Sequence, residues 1–316
     1  MSYTFSKKRR TTVQKSFSMR EALRKIRQFL DEHEPALVFW LMTMWNAQGK
    51  AITYKELVAA IEAGSISWDI LEEWTRDYEK FIKARMEPAW IEAMEAAAKE
   101  IERTHPGFLF APDAAGVRAW CETMAAKFVT EVTQTQIEGI RAVILQATTM
   151  EHMTHDSLAK VIRPLVGLNR PQAIANLRYY ESLIIGGMSE EMALEKALKY
   201  AARQHRQRGY LIARTELAFA YNQGSYEGTK QAQEAGLMGD VVKIWCTADD
   251  ERVCKICGAL EGKRIGMDED FDINPKLSVT DNPTVRKVPP AHPRCRCTVL
   301  YEEITPPIAK PSEETT

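Results

Sequence analysis

Apolar residues recur at spacings of three and four from Met19 onward, at Leu23, Ile26 and Leu30, with Arg24, Lys25 and Arg27 between them. That is the period of an amphipathic helix. A helix over 35–46 follows, and Gly49 and Lys50 are expected to break it. Thr53-Tyr-Lys-Glu56 has the form of a capping box, in which a hydroxyl and a carboxylate satisfy the free amides of a helix start. It opens a short helix through Ile61 that Ala63-Gly64-Ser65 ends. Ser67 starts the next element, which carries Trp68, Leu71, Trp74, Tyr78, Phe81 and Ile82 toward Met86, and Trp90 to Ile101 continues as an alanine-rich helix. His105-Pro-Gly-Phe-Leu-Phe-Ala-Pro112 interrupts the pattern, and a second helical block runs from Ala114 to about Met150. Asn169-Arg-Pro171 starts a helix that ends at Gly186-Gly187, where glycine can take the left-handed stop. Ser189 caps a helix through Leu198 toward Arg203, and Arg206 to Gly224 forms a further long helix. The period then changes: Val241-Val-Lys-Ile-Trp-Cys246 reads as a strand.

This order predicts a mainly α protein, with a long helical N-terminal region followed by a small α+β C-terminal module. The expected organisation is a basic arm at 1–18, a helical N-terminal domain at 19–105, a second helical region at 106–203, the module at 204–304 and a disordered tail at 305–316. Tryptophans 40, 45, 68, 74 and 90 fall at helical spacing and are expected in the core, with a protein interface as the alternative. On the 206–224 helix, Ala213, Leu217, Ala220 and Gly224 share a face with Gly228, so a neighbouring backbone can approach closely. Arg214 and Glu216 lie beside that face, either in a buried ion pair or hydrogen-bond network, or as a solvated pair.

A chain of 316 residues with 45% hydrophobic and 27% charged residues reads as soluble and globular. A net charge of −1 gives no global attraction to nucleic acid, so any such contact must be local. The local candidates are Lys7, Lys8, Arg9 and Arg10 in the arm, which could meet phosphates or an acidic partner. The longest apolar run, Pro35 to Trp45, is about half of the ~20 residues that a membrane-spanning helix needs, so no membrane partner is expected. No apolar leader follows the basic start, which points to a reducing cytoplasm and away from a disulfide scaffold.

The chemistry gathers between Cys246 and Cys297, which hold five of the six cysteines. Cys254 and Cys257 form a C-x-x-C knuckle, and His292-Pro-Arg-Cys295-Arg-Cys297 closes the window. Thiolates and an imidazole at such spacings can complete a tetrahedral zinc site. The expected ligands are Cys254, Cys257, His292 and Cys295, and Cys297 can replace either late ligand. Ordinary buried cysteines or a disulfide pair remain the alternative, because the long loop between the halves fits no common zinc-finger spacing. Cys246 and Cys121 read as core, and Asp249, Asp250 and Glu251 as a turn or cap. No H-E-x-x-H occurs, nor an H-x-E with P-C-x-x-C, so a closed structural zinc is expected over a catalytic one. His152 and His155 could share a helix face, with helix-end packing the simpler reading.

Ile212-Ala-Arg-Thr-Glu216, Trp245, Asp250-Glu-Arg-Val-Cys-Lys-Ile-Cys257, Leu260-Glu-Gly262 and His292-Pro-Arg-Cys-Arg-Cys297, in that order, resemble the phage Mu F-like minor head proteins, the phage head morphogenesis family. The resemblance covers about 204–302 and extends upstream through Glu73-Trp to Ala93 and Gly186-Gly-Met-Ser. It implies a minor virion protein that associates with the portal protein and other phage head proteins, and in some members with phage DNA. It also implies synthesis in the bacterial host cytoplasm and residence in the virion or procapsid. Some relatives carry toxin or ADP-ribosyltransferase domains after this region, and none is expected here so soon after Cys297. The resemblance assigns no catalytic residues, so no enzyme is expected. The alternatives are a zinc-containing DNA-binding protein, with Arg294, Arg296 and Lys255 as its basic patch, or a metal-dependent nuclease.

Overall fold

The computed structural model describes residues 17–150, 153–248, 250–273 and 285–304. The four arm cations Lys7, Lys8, Arg9 and Arg10, His152, Asp249 and the tail at 305–316 lie outside the described residues. The main chain is mostly helical, with its strands confined to the C-terminal part, as the apolar periods require.

Helix α1 spans Phe17–Ala51 and joins the two helices expected at its ends. Pro35 sits inside it, and Gly49 does not stop it. Gly49 serves close packing, since a Cβ there would lie 3.0 Å from the Arg163 carbonyl oxygen. Arg163 also donates to the Gly49 and Lys50 carbonyls at 2.9 and 2.6 Å, and so satisfies two of the orphan acceptors at the end of α1. Helix α2 (Tyr54–Ala63) opens with both halves of the expected capping box and stops at Gly64, whose φ of 65° is left-handed. Helix α3 (Trp68–Phe81) passes through a π turn at Ile82–Met86 into α4 (Glu87–Thr104). The π turn sits just before Pro88, which has no amide to donate.

Helices α5 (Ala115–Ala147), α6 (His155–Ile162) and α7 (Arg170–Ile185) follow, and then α8 runs unbroken over Glu190–Glu234. The two helices expected on either side of residue 204 are therefore one. Helix α8 packs on α4, α1 and α7 and is the spine of the molecule. Its small residues do the predicted packing: a Cβ on Gly224 would lie 2.2 Å from the Met94 Cα, and one on Gly228 would lie 2.9 Å from Ile101 Cδ1.

Two helical cores flank this spine. One joins α2, α5, α6, α7 and the start of α8 around Leu57, Ile144, Leu158 and Leu177. The other joins α1, α4, the first half of α5 and the middle of α8 around Leu41, Trp90, Met94 and Leu217. A buried polar chain ties α1, α3 and α5: Trp45 donates to the Tyr78 hydroxyl at 2.7 Å, Tyr78 to Gln136 at 2.6 Å, and Gln136 to Gln48 at 3.0 Å. Trp45, Trp74 and Trp90 are buried as expected, but Trp68 is 70% exposed. It stands in the first turn of α3, where Leu71 and Trp74 already fill the inward face.

After α8 the chain forms β1 (Val241–Cys246), α9 (Lys255–Leu260), β2 (Arg264–Gly266), β3 (Phe271–Asp272), β4 (Val285–Arg286) and β5 (Thr298–Glu303). Strand β1 is central in an antiparallel sheet of order β2-β1-β5, and pairs Trp245 with Val299 and Cys246 with Thr298. Strands β3 and β4 form a separate antiparallel pair. Met19 and Leu23 of α1 cover Ile244 and Cys246, so Cys246 is core as expected, and Cys121 is buried too. Lys243 is fully buried and donates to the Glu269 and Lys287 carbonyls at 2.7 and 3.2 Å, which holds the β2–β3 turn and the segment after β4 against β1. Among the described residues no helix is long and apolar enough to cross a membrane.

Candidate metal centre

Cys254 is the N-cap of α9, and its sulfur accepts from the Cys257 amide at 3.3 Å. One turn of helix thus presents both knuckle thiols on one side. The chain that returns through His292 to Cys297 then runs directly into β5. Hydrogen-bonded registration of β5 on β1 fixes where that chain lies.

His292 Nε2 lies 3.1 Å from Cys254 Sγ and 3.2 Å from Cys257 Sγ, and Cys257 Sγ lies 3.6 Å from Cys295 Sγ. Cys254, Cys257 and His292 form one group of potential metal donors; Cys257, Cys295 and Cys297 form another, with the atoms of each within 4.8 Å of one another. Cys257 belongs to both. The 3.6 Å separation is close to the ~3.8 Å edge of a tetrahedron with ~2.3 Å metal–sulfur bonds. It is far from the ~2.05 Å of a disulfide, and all six cysteines are free. The described residues therefore bring together all five donors singled out in the sequence, positioned to hold a metal ion.

The chemistry of the donors fits a cation. Cys257, Cys295 and Cys297 are buried, and Cys254 and His292 are half-buried. Hydrogen bonds from Cys257 and Cys297 pull the Cys295 thiol below its ordinary value. The hydrogen bond to Cys295 in turn pushes the Cys257 thiol up. A cation among these sulfurs would favour the thiolate form of several of them at once. His292 Nδ1 lies 2.8 Å from the Pro293 carbonyl oxygen, which can only accept. Nδ1 therefore carries a proton there, and Nε2 is the ring nitrogen that faces the thiols.

Several residues that position this site were not singled out as such in the sequence. Asp250 accepts a forked pair of bonds from Arg296, with Nη2 to Oδ1 at 2.7 Å, and its Oδ1 also caps the Arg252 amide at 2.9 Å. Arg296 first, then Arg252, holds the Asp250 carboxyl well below the usual range. The expected turn is real, and it also ties the approach to the knuckle onto the Cys295–Cys297 segment. Asn222, buried in the middle of α8, accepts from the Val299 amide at 3.2 Å and the Thr298 hydroxyl at 2.9 Å. Thr215 Oγ1 accepts from the Arg294 amide at 3.3 Å, where Arg294 takes a left-handed φ of 61°. A polar residue on the apolar side of a long helix was the available signal for Asn222.

Arg214 and Glu216 point to different neighbours. Arg214 Nε donates to Glu34 at 2.5 Å and its Nη2 to Asp31 at 3.2 Å, so it pins α8 to α1. Glu216 faces Lys127 and Glu131 of α5, and its Oε2 is buried with no hydrogen-bond partner among the described residues. Burial pushes its carboxyl up to about 7. His155 stands at the start of α6 with Nδ1 3.7 Å from Glu62, while His152 lies outside the described residues.

Compared with known families, residues 174–300 match the model described as Phage Mu protein F like protein. The match covers α8, β1 to β4, the first half of β5 and the whole Cys/His centre. No curated protein and no solved structure matches the chain.

Proposed function

We propose that the chain is a minor head protein of the phage Mu F-like, head morphogenesis kind, carried in the virion or procapsid and associated with the portal vertex, because residues 174–300 match the model described as Phage Mu protein F like protein. The observation that carries this reading is the coincidence of the family match with a Cys/His cluster that could hold a metal and whose positioning residues lie in the same segment. In this reading the metal is zinc, held by Cys254, Cys257, His292 and Cys295, with Cys297 as the neighbouring thiol. Zinc suits the mixed sulfur and nitrogen donors and supplies no redox chemistry, so its role is to hold α9 against the start of β5. The helical part, divided as 19–105 and 106–203, would carry the contacts to other head proteins, and the basic arm would meet acidic groups of the portal protein or the DNA end.

A nuclease is less well supported, because both nitrogens of His292 are engaged, one with the thiols and one with a carbonyl. A general base needs a free nitrogen within reach of substrate. The test is co-expression with the portal protein of the same phage or prophage, followed by native mass measurement of the complex and its metal content. A stoichiometric complex with one zinc per chain is expected. Absence from both the portal complex and purified particles would overturn the reading.

A further inference from the structure

Between α1 and α8 runs a groove of about 750 Å³, which Arg163, Pro164 and Val166 also line. Its floor is apolar and sealed: Trp45, Val38, Val166 and Ala201 are buried there. Its rim carries three of the large apolar side chains that the fold leaves in solvent, Phe39 at 60%, Tyr210 at 41% and Leu198 at 40% exposure. Solitary exposed apolar residues need no explanation, but several around one apolar trough mark a surface that is covered in use.

The charges at the trough are of one sign. Lys50, Arg163 and Arg206 line it, and no acid does among the described residues. Lys50 and Arg206 are exposed and have no ion-pair partner among the described residues. Asp31 and Glu34, just before the groove on α1, are engaged by Arg214. The lining stretch of α1, Pro35 to Lys50, spans about 22 Å at the helical rise, which is the length of a helix of about four turns. A straight apolar trough between two helices receives a third helix by its apolar face. A second copy of this chain using the same face would set these cations against one another, which disfavours a twofold pairing.

We propose that the α1/α8 groove docks an acidic amphipathic helix of another head protein. The identity of the partner as a head protein rests on the function proposed above. The full-length protein is titrated with a fluorescent peptide of about 15 residues, leucines on one face and glutamates elsewhere, and with a matched peptide carrying lysines. Saturable binding of the acidic peptide is expected, at least about tenfold tighter than the lysine peptide. Phe39→Asp and Arg206→Glu should each weaken it by about tenfold, with melting temperatures unchanged because both side chains are exposed. No binding, equal binding of the two peptides, or variants that bind like the wild type would overturn the groove. Purified particles supply the second arm. Wild-type protein present and F39D depleted supports the proposal, and equal incorporation of both overturns it. Wild-type protein absent from particles overturns the head reading, and with it the partner named here, even if the peptide binds.

Discussion

Glu216 is a carboxyl whose ionisation the fold opposes. Unfolded, it titrates near the ordinary 4.5; folded, burial carries it to about 7. Between those values the native state holds the extra proton, so stability falls as pH rises from about 4.5 to about 7 and stays reduced above. Glu216→Gln keeps the shape and removes the charge. It should stabilise the protein at pH 8 by about 1–3 kcal/mol and leave it nearly unchanged at pH 4.5, measured by urea unfolding at the two values. Identical gains at both would show that ionisation is not the cause. Asp250 is the opposite case, a carboxylate the fold favours through Arg296. Asp250→Asn should loosen metal binding by roughly tenfold in a competition titration, since residues that orient ligands tune affinity. At this scale the clustered thiols and imidazole were legible, because C-x-x-C and H-P-R-C-R-C are local spacings. The partners of Asn222 and Thr215 were not, because they lie more than seventy positions away, and the one local sign, a polar Asn222 on an apolar helix face, does not say what it binds.

The helices were legible as helices, and their lengths were not. Pro35 and Gly49 in α1, and the polar stretch around residue 204 in α8, read as breaks by local preference, yet tertiary packing carries the helix through each. In contrast, the Thr53 capping box and the Gly64 stop appear as expected, because their bonds close within four residues. The glycines of α8 acquire their meaning only against α4. A methyl on Gly224 has no room beside the Met94 backbone, so Gly224→Ala should destabilise by at least about 2 kcal/mol despite the better helix propensity of alanine. Denaturant midpoints measure this, and a neutral or stabilising result would mean that α4 and α8 can separate at little cost.

For the whole molecule, the sheet module has a small apolar core, whose buried members include Trp245, Phe271 and three cysteines of the centre. A metal held by the cluster would therefore link binding to folding there. Chelation, or Cys254→Ser, should speed amide exchange across 241–303 while α2, α5, α6 and α7 keep their protection, followed by hydrogen exchange with mass detection. Uniform protection after chelation would show that the thiols are ordinary core. The mainly helical class and the late α+β module could be read from apolar periods, whereas the sheet order β2-β1-β5 could not, since it depends on a long-range return of the chain.

Helix α8 touches both helical cores and then ends under the sheet. With 45 residues it is a rod of about 68 Å at the helical rise. A rod anchored at one end acts as a lever: a tilt of about 5° in the helical body would carry the far end about 6 Å. Whatever grips the start of α8 therefore has mechanical purchase on the end that carries the Cys/His cluster, without any hinge between them.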